Sequence, residues 1–147
     1  MYTVDASVWV NGFDQREAGH ATSRQFLEEL RLREAPVIVP NLLLIEVAAA
    51  IRRTRGNPAQ AEAFARTLSK LPHVELRTLD EGNARQAVTL AAEHGLRGAD
   101  AVYAAVAIEA ACSLVSLDGE HLTRLPALTR VLTPAAALEA LASGSNA

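Results

Sequence analysis

The sequence predicts an α/β domain built on a mostly parallel sheet, and three observations carry that expectation. Short apolar runs of strand length alternate with longer segments of helical periodicity, an order that describes a parallel sheet covered on both faces. Half of the 147 residues are hydrophobic, enough for one sizeable core. No repeat, linker or low-complexity block divides the chain beyond a bias toward alanine, so the expectation is one domain over 1–142 and a frayed tail over 143–147.

The elements follow in order. Residues 2–5 read as a first strand that passes at once into a helical turn from Ser7. Residues 15–33 carry Phe26, Leu27, Leu30 and Leu32 among charges, the pattern of a long amphipathic helix. A second strand covers 36–39, and LLLIEVAAAIRRTR continues it as a helix to about Arg55, where Gly56, Asn57 and Pro58 stop one helix and start another over 59–71. A third strand is expected over 74–79, then a helix to His94 with Asp80 as its cap. Gly95 and Gly98 separate it from a helix over 99–111. Residues 113–117 form a fourth strand, Asp118 and Gly119 turn the chain, 130–132 make an edge strand, and 135–142 a last helix.

Composition narrows the function. Cys112 is the only cysteine, which excludes an internal disulfide framework and fits a packed core residue in a reducing compartment. The start, MYTVDASVWV, reads as a strand and not as a secretory signal, and Glu46, Asp100 and Glu109 break the apolar runs before they could span a bilayer. A cytoplasmic protein without membrane contact is expected. The formal net charge of −3 gives no global attraction to polyanions, so nucleic-acid binding must be local. Lys70 is the only lysine; the remaining cations are arginines, whose planar forks suit phosphate.

One residue resists the simple pattern. In VPNLLLIEVAAAIRR, Glu46 stands among Leu42, Leu43, Ala49 and Ala50, its helical neighbours at three and four residues. A carboxylate in an apolar face must reach the rim, become neutral or meet a cation, because an ionised, unpaired acid costs several kcal/mol in low dielectric. Three more acids fall toward the same place. In open α/β sheets the crevice lies beyond the carboxyl ends of the strands, where Asp5 ends the first strand and Asp118 the fourth. Asp100 begins the helix LRGADAVYAAVAIEAAC, with Tyr103, Ala104 and Ala107 on its own side.

Each aspartate has a plainer reading as a helix cap or turn residue, but a shared cause accounts for all four acids. Clustered carboxylates need a compensating cation, since each raises the proton affinity of the others. Oxygen donors without a cysteine or histidine cluster favour a hard ion, Mg²⁺ or Mn²⁺. His20, His73, His94 and His121 show no zinc spacing and are expected at the surface or in packing.

These residues resemble a known family. VDAS at the start, the glutamate of NLLLIEVAAAIRR, LRGADAVYAAVA and LVSLD, in this order, are similar to the motifs of PIN domain nucleases and, within them, of the VapC toxins of bacterial toxin-antitoxin pairs. The resemblance implies a three-layer α/β/α sandwich and a metal site of Asp5, Glu46, Asp100 and Asp118. Ser7 and Ser116 stand where the family has hydroxyl residues supporting the first and last acids, with threonine the usual residue at the second place. It further implies a Mg²⁺-dependent ribonuclease cutting transfer or ribosomal RNA, a homodimer, and silencing by a cognate antitoxin. The expected reaction is hydrolysis by an activated water, leaving a 5′ phosphate and a 3′ hydroxyl. Arg52, Arg53, Arg55 and Arg97 are candidates for phosphate contact, and the helix over 15–33 for one wall of an antitoxin groove.

Rival chemistries lack their residues. Ala6 and Ser7 replace the second acid of a DxD phosphatase, Lys70 comes too early for a signalling receiver, and neither GxxxxGK[ST] nor GxSxG occurs. The alternative from another class is a noncatalytic module that keeps the fold and binds RNA or protein.

Overall fold

The computed structural model describes residues 1–144, and these form β1 (Tyr2–Val4), α1 (Ala6–Phe13), α2 (His20–Leu32), β2 (Val37–Pro40), α3 (Leu42–Arg55), α4 (Pro58–Leu68), β3 (Val74–Arg77), α5 (Glu81–His94), α6 (Gly98–Glu109), β4 (Ser113–Val115), α7 (Gly119–Arg124), β5 (Val131–Leu132) and α8 (Pro134–Ala142). The strands pair in one sheet of order β3-β2-β1-β4-β5, and every pairing is parallel. Residues 145–147 of the expected tail lie outside the described residues.

Topology places the helices. The chain steps from β1 to β2 to β3 in one direction, then crosses back to β4 on the far side of β1. Right-handed crossovers taken in opposite directions put their helices on opposite faces, so α1 to α4 cover one side of the sheet and α5 to α7 the other. The result is a three-layer α/β/α sandwich. Its strands are buried on both faces: all of β1, β2 and β4 is below the surface, as uninterrupted apolar runs predict. Eight consecutive residues of α6, from Asp100 to Ala107, are buried, so this helix runs through the core.

Several boundaries differ from the sequence reading, each for a local reason. The second helix begins at His20 and not at residue 15, because the Asp14 carboxylate accepts the Arg16 backbone N–H at 3.1 Å and holds the chain in a turn. Gly19 completes that turn at φ 80°, a left-handed conformation open to glycine, and serves as the N-cap. The fourth helix ends at Leu68 because Pro72 disfavours helix at the residue before it. The third strand stops at Arg77: its last ladder partner is Pro40, after which β2 turns into α3 and leaves Thr78 and Leu79 unpaired. The fourth strand stops at Val115, where Ser116 turns its hydroxyl to the Asp118 N–H at 2.9 Å. Asp118 and Gly119 do not make a simple turn; they open the helix α7, with Asp118 Oδ1 accepting the Glu120 N–H at 2.8 Å.

Candidate functional site

Three chain segments meet at the crevice between β1 and β4, where the strand order reverses, and a fourth reaches it from α3. Asp5 directly follows β1. Its backbone N–H donates to the Val115 carbonyl at 2.9 Å, tying the end of β1 to that of β4. Its Oδ2 accepts the Ser7 N–H at 3.0 Å, so Asp5 does cap α1 while lining the crevice. Asp118 similarly caps α7 and faces the same space. Asp100 is no cap: it sits in the first turn of α6 and is 6% exposed.

Glu46 enters from the side. The buried stripe of α3 is Leu43, Val47 and Ile51, and Glu46 stands one position off it, half-buried at the rim. Its Oε2 accepts the Tyr103 hydroxyl at 2.8 Å, and Tyr103 is fully buried on α6. Burial raises the proton affinity of Glu46; the Tyr103 hydrogen bond lowers it, while Asp5 and Asp100 raise it further. Burial and the adjacent Glu46 carboxylate push the Tyr103 hydroxyl far above its ordinary range, so it keeps its proton for the bond to Glu46.

The two serines join the acids. Ser7 Oγ accepts the Leu117 N–H at 3.1 Å, which pins the loop before Asp118. Ser116, fully buried, reaches Asp5 Oδ2 at 3.3 Å and also accepts the Asp118 N–H. His121 overturns the expectation of a surface or packing role. It is buried, with Nδ1 2.8 Å from Ser116 Oγ and Nε2 3.0 Å from Asp100 Oδ1. The sequence held one signal for it: three residues after a helix-capping Asp118, it lies within the first turns of α7.

The arginines divide. Arg55 turns away to Asp14, at 3.0 Å, and lies over the Phe13 ring. Arg53 lines the crevice. Arg97 bridges two acids, Nε to Asp100 Oδ2 and a terminal nitrogen to Asp118 Oδ2, each at 2.9 Å. Burial works against ionisation of Asp118, but the Glu120 N–H and Arg97 outweigh it and hold the carboxyl below its ordinary value.

The crevice encloses about 460 Å³, and all four acids line it with Arg53 and Arg97. Among the described residues no three acids, histidines or cysteines are arranged to hold a metal ion as they stand. The chemistry of the donors nevertheless fits a hard divalent ion: carboxylate oxygens, partly desolvated, with Glu46 under the field of Asp5 and Asp100. The condition is that Arg97 gives up the oxygens it holds.

A second, apolar groove of about 410 Å³ lies between α1, α2 and α4, walled by Trp9, Phe13, Leu27, Phe64 and Leu71. Among the described residues no helix is long and apolar enough to cross a membrane.

The family model of the PIN domain matches residues 2–128. No curated protein matches the chain in sequence. Among solved structures, the sarcin-ricin loop cleaving toxin VapC20 of Mycobacterium tuberculosis is 22% identical, with a TM-score of 0.69 over 82% of this chain and 92% of that one. A toxin-antitoxin complex from Klebsiella pneumoniae is 19% identical, with a TM-score of 0.67 over 91% of this chain and 98% of that one. The FitAcB structure from Neisseria gonorrhoeae is 19% identical, with a TM-score of 0.66 over the same shares.

Proposed function

The chain belongs to the PIN domain family, and from that premise we propose that it is a metal-dependent endoribonuclease, the toxin of a toxin-antitoxin pair acting in the cytoplasm. One observation carries the reading: Asp5, Glu46, Asp100 and Asp118, from four separate segments, line a single crevice at the switch point of the sheet. A scaffold or binding module has no need of two aspartates that are 7% and 6% exposed there.

In this reading the four acids hold Mg²⁺ or Mn²⁺, which supplies Lewis-acid polarisation of the scissile phosphodiester and a stabilising charge for the leaving 3′ oxygen. The chain's own residues do the rest. Ser7 and Ser116 fix Asp5, and Tyr103 fixes Glu46 through Oε2. Anchored in this way at the crevice, Glu46 would share in holding the ion and in orienting the attacking water. Arg53 and Arg97 give a chain of net charge −3 a local grip on phosphate. The products are a 5′ phosphate and a 3′ hydroxyl.

The partners follow from the same premise: a transfer or ribosomal RNA as substrate, a second copy of the chain as a homodimer, and a cognate antitoxin. The antitoxin would lay an apolar segment in the groove of Trp9, Phe13, Leu27 and Phe64, beside the crevice-bearing helix α1. Support comes from the neighbouring structures, among them the toxin-antitoxin complex from Klebsiella pneumoniae. Controlled expression of the chain alone tests the toxin reading. Growth should slow, with cut RNA appearing, and Asp5→Asn should abolish both; harmless expression at high level with intact RNA would refute it.

A further inference from the structure

Asp100 is held from two sides by donors of opposite character. On Oδ1 stands His121, 1% exposed, its Nε2 at 3.0 Å and its other nitrogen fixed by Ser116 Oγ at 2.8 Å. On Oδ2 stands Arg97 at 2.9 Å, whose side chain is 63% exposed and which sits at the N-cap of α6 with no capping bond of its own. The same guanidinium reaches Asp118 Oδ2 at 2.9 Å, across from another element. The imidazole is locked into the core by two hydrogen bonds. The guanidinium comes in from the solvent side, its bond to Asp100 part-buried and its bond to Asp118 exposed, so water can take over its donors when it leaves.

We propose that Asp100 is prepared for its divalent ion by this asymmetry: Arg97 is an internal counter-cation that surrenders two carboxylate oxygens on loading, and His121 is a positioning residue that keeps Oδ1 and sets the angle of the carboxylate. The proposal rests on the metal reading above. Asp100 Oδ1 is taken by His121 and Asp118 Oδ1 by the Glu120 N–H, so an ion held by these two acids would compete with Arg97 for their Oδ2 atoms. Until then Arg97 satisfies two acids that repel each other, which keeps the crevice folded without the ion. Once released it remains at the rim of the crevice, where phosphate would lie. His121 cannot move in the same way, since leaving Asp100 would strand both a buried ring nitrogen and a buried carboxylate oxygen. Through Ser116 its hold extends to Asp5, so one imidazole couples the acids that follow β1 and open α6.

The two roles predict opposite signs in one experiment, titration of the full chain with Mn²⁺ by calorimetry, with melting temperatures measured in chelator. Arg97→Gln should bind Mn²⁺ about threefold to tenfold more tightly than wild type and melt lower in chelator. His121→Phe, which fills the volume but offers no hydrogen bond, should bind about tenfold to a hundredfold more weakly. If His121→Phe does not fold, His121→Gln, which retains an amide donor toward Asp100, should bind more weakly than wild type by a smaller factor. Wild-type affinity in Arg97→Gln and in the His121 variant overturns the proposal alone, as does weaker binding by Arg97→Gln. Absence of Mn²⁺ binding in wild type and variants overturns it together with the metal reading.

Discussion

Tyr103 donates its hydroxyl to Glu46 Oε2 at 2.8 Å, joining the buried stretch of helix α6 to the rim of α3 across 57 positions of sequence. This contact answers how a carboxylate is tolerated in an apolar helix. Glu46 lies beside the buried stripe and not within it, and its Oε2 has a donor. Tyr103 follows Asp100 by three residues, so a single helical turn positions two of the four acids, one directly and one through a hydroxyl.

Tyr103→Phe should therefore keep the packing and lose the orientation of Glu46. Removing the donor should cost about 1 kcal/mol of stability, a modest value because Glu46 is partly exposed and water can replace the hydroxyl. Activity should fall about tenfold to a hundredfold, the usual effect of losing a partner behind a metal ligand. Thermal melts and cleavage rates on the same preparations check both.

Glu46→Gln should separate stability from activity. Burial, together with Asp5 and Asp100, raises the Glu46 proton affinity in the folded state despite the Tyr103 bond. An acid so shifted favours the fold below its unfolded pKa, and that contribution is lost as pH rises through the higher folded value. The neutral glutamine escapes the loss and still accepts from Tyr103. In chelator, Glu46→Gln should melt above wild type at neutral pH and match it below the ordinary carboxylate range; with Mg²⁺ supplied, it should cleave no RNA where wild type does. Melting curves across pH test this.

Asp14 should show the reverse dependence. Its buried carboxylate takes Arg16 at 2.8 and 3.0 Å and Arg55 at 3.0 Å, and the Arg16 hydrogen bonds, side chain first, hold it far below its ordinary value. A depressed folded-state value stabilises above the unfolded pKa and is lost as pH falls through and below it. Asp14→Asn should thus be less stable than wild type at neutral pH, and the gap should close below about pH 4. A melting series of the two proteins from neutral to acid pH gives the answer.

The order and type of the elements were legible because apolar runs alternate with helical periodicity, and that pattern needs no tertiary information. What escaped depends on tertiary partners. The break before His20 is made by Asp14 folding back on Arg16, and the end of β3 by the length of β2; neither partner is visible at its own position. Helix α7 was hidden because Asp-Gly suits a turn as well as a helix start. Among the site residues, the strand-end aspartates were readable from their place after β1 and β4. His121 was not, since its place three residues after Asp118 gains meaning only once Asp118 is seen to cap α7 and Asp100 and Ser116 close around the ring. Tyr103 was visible as a neighbour of Asp100, but its bond to Glu46 crosses elements and has no trace in spacing.

The most direct test is cleavage of end-labelled RNA by the purified protein with Mg²⁺ or Mn²⁺, set against chelator and against Asp5→Asn and Asp100→Asn. Cleavage that requires the divalent ion, leaves 5′ phosphate ends and disappears in both variants is the predicted result. Equal activity in wild type and variants, or cleavage that persists in chelator, would contradict the assignment of the four acids.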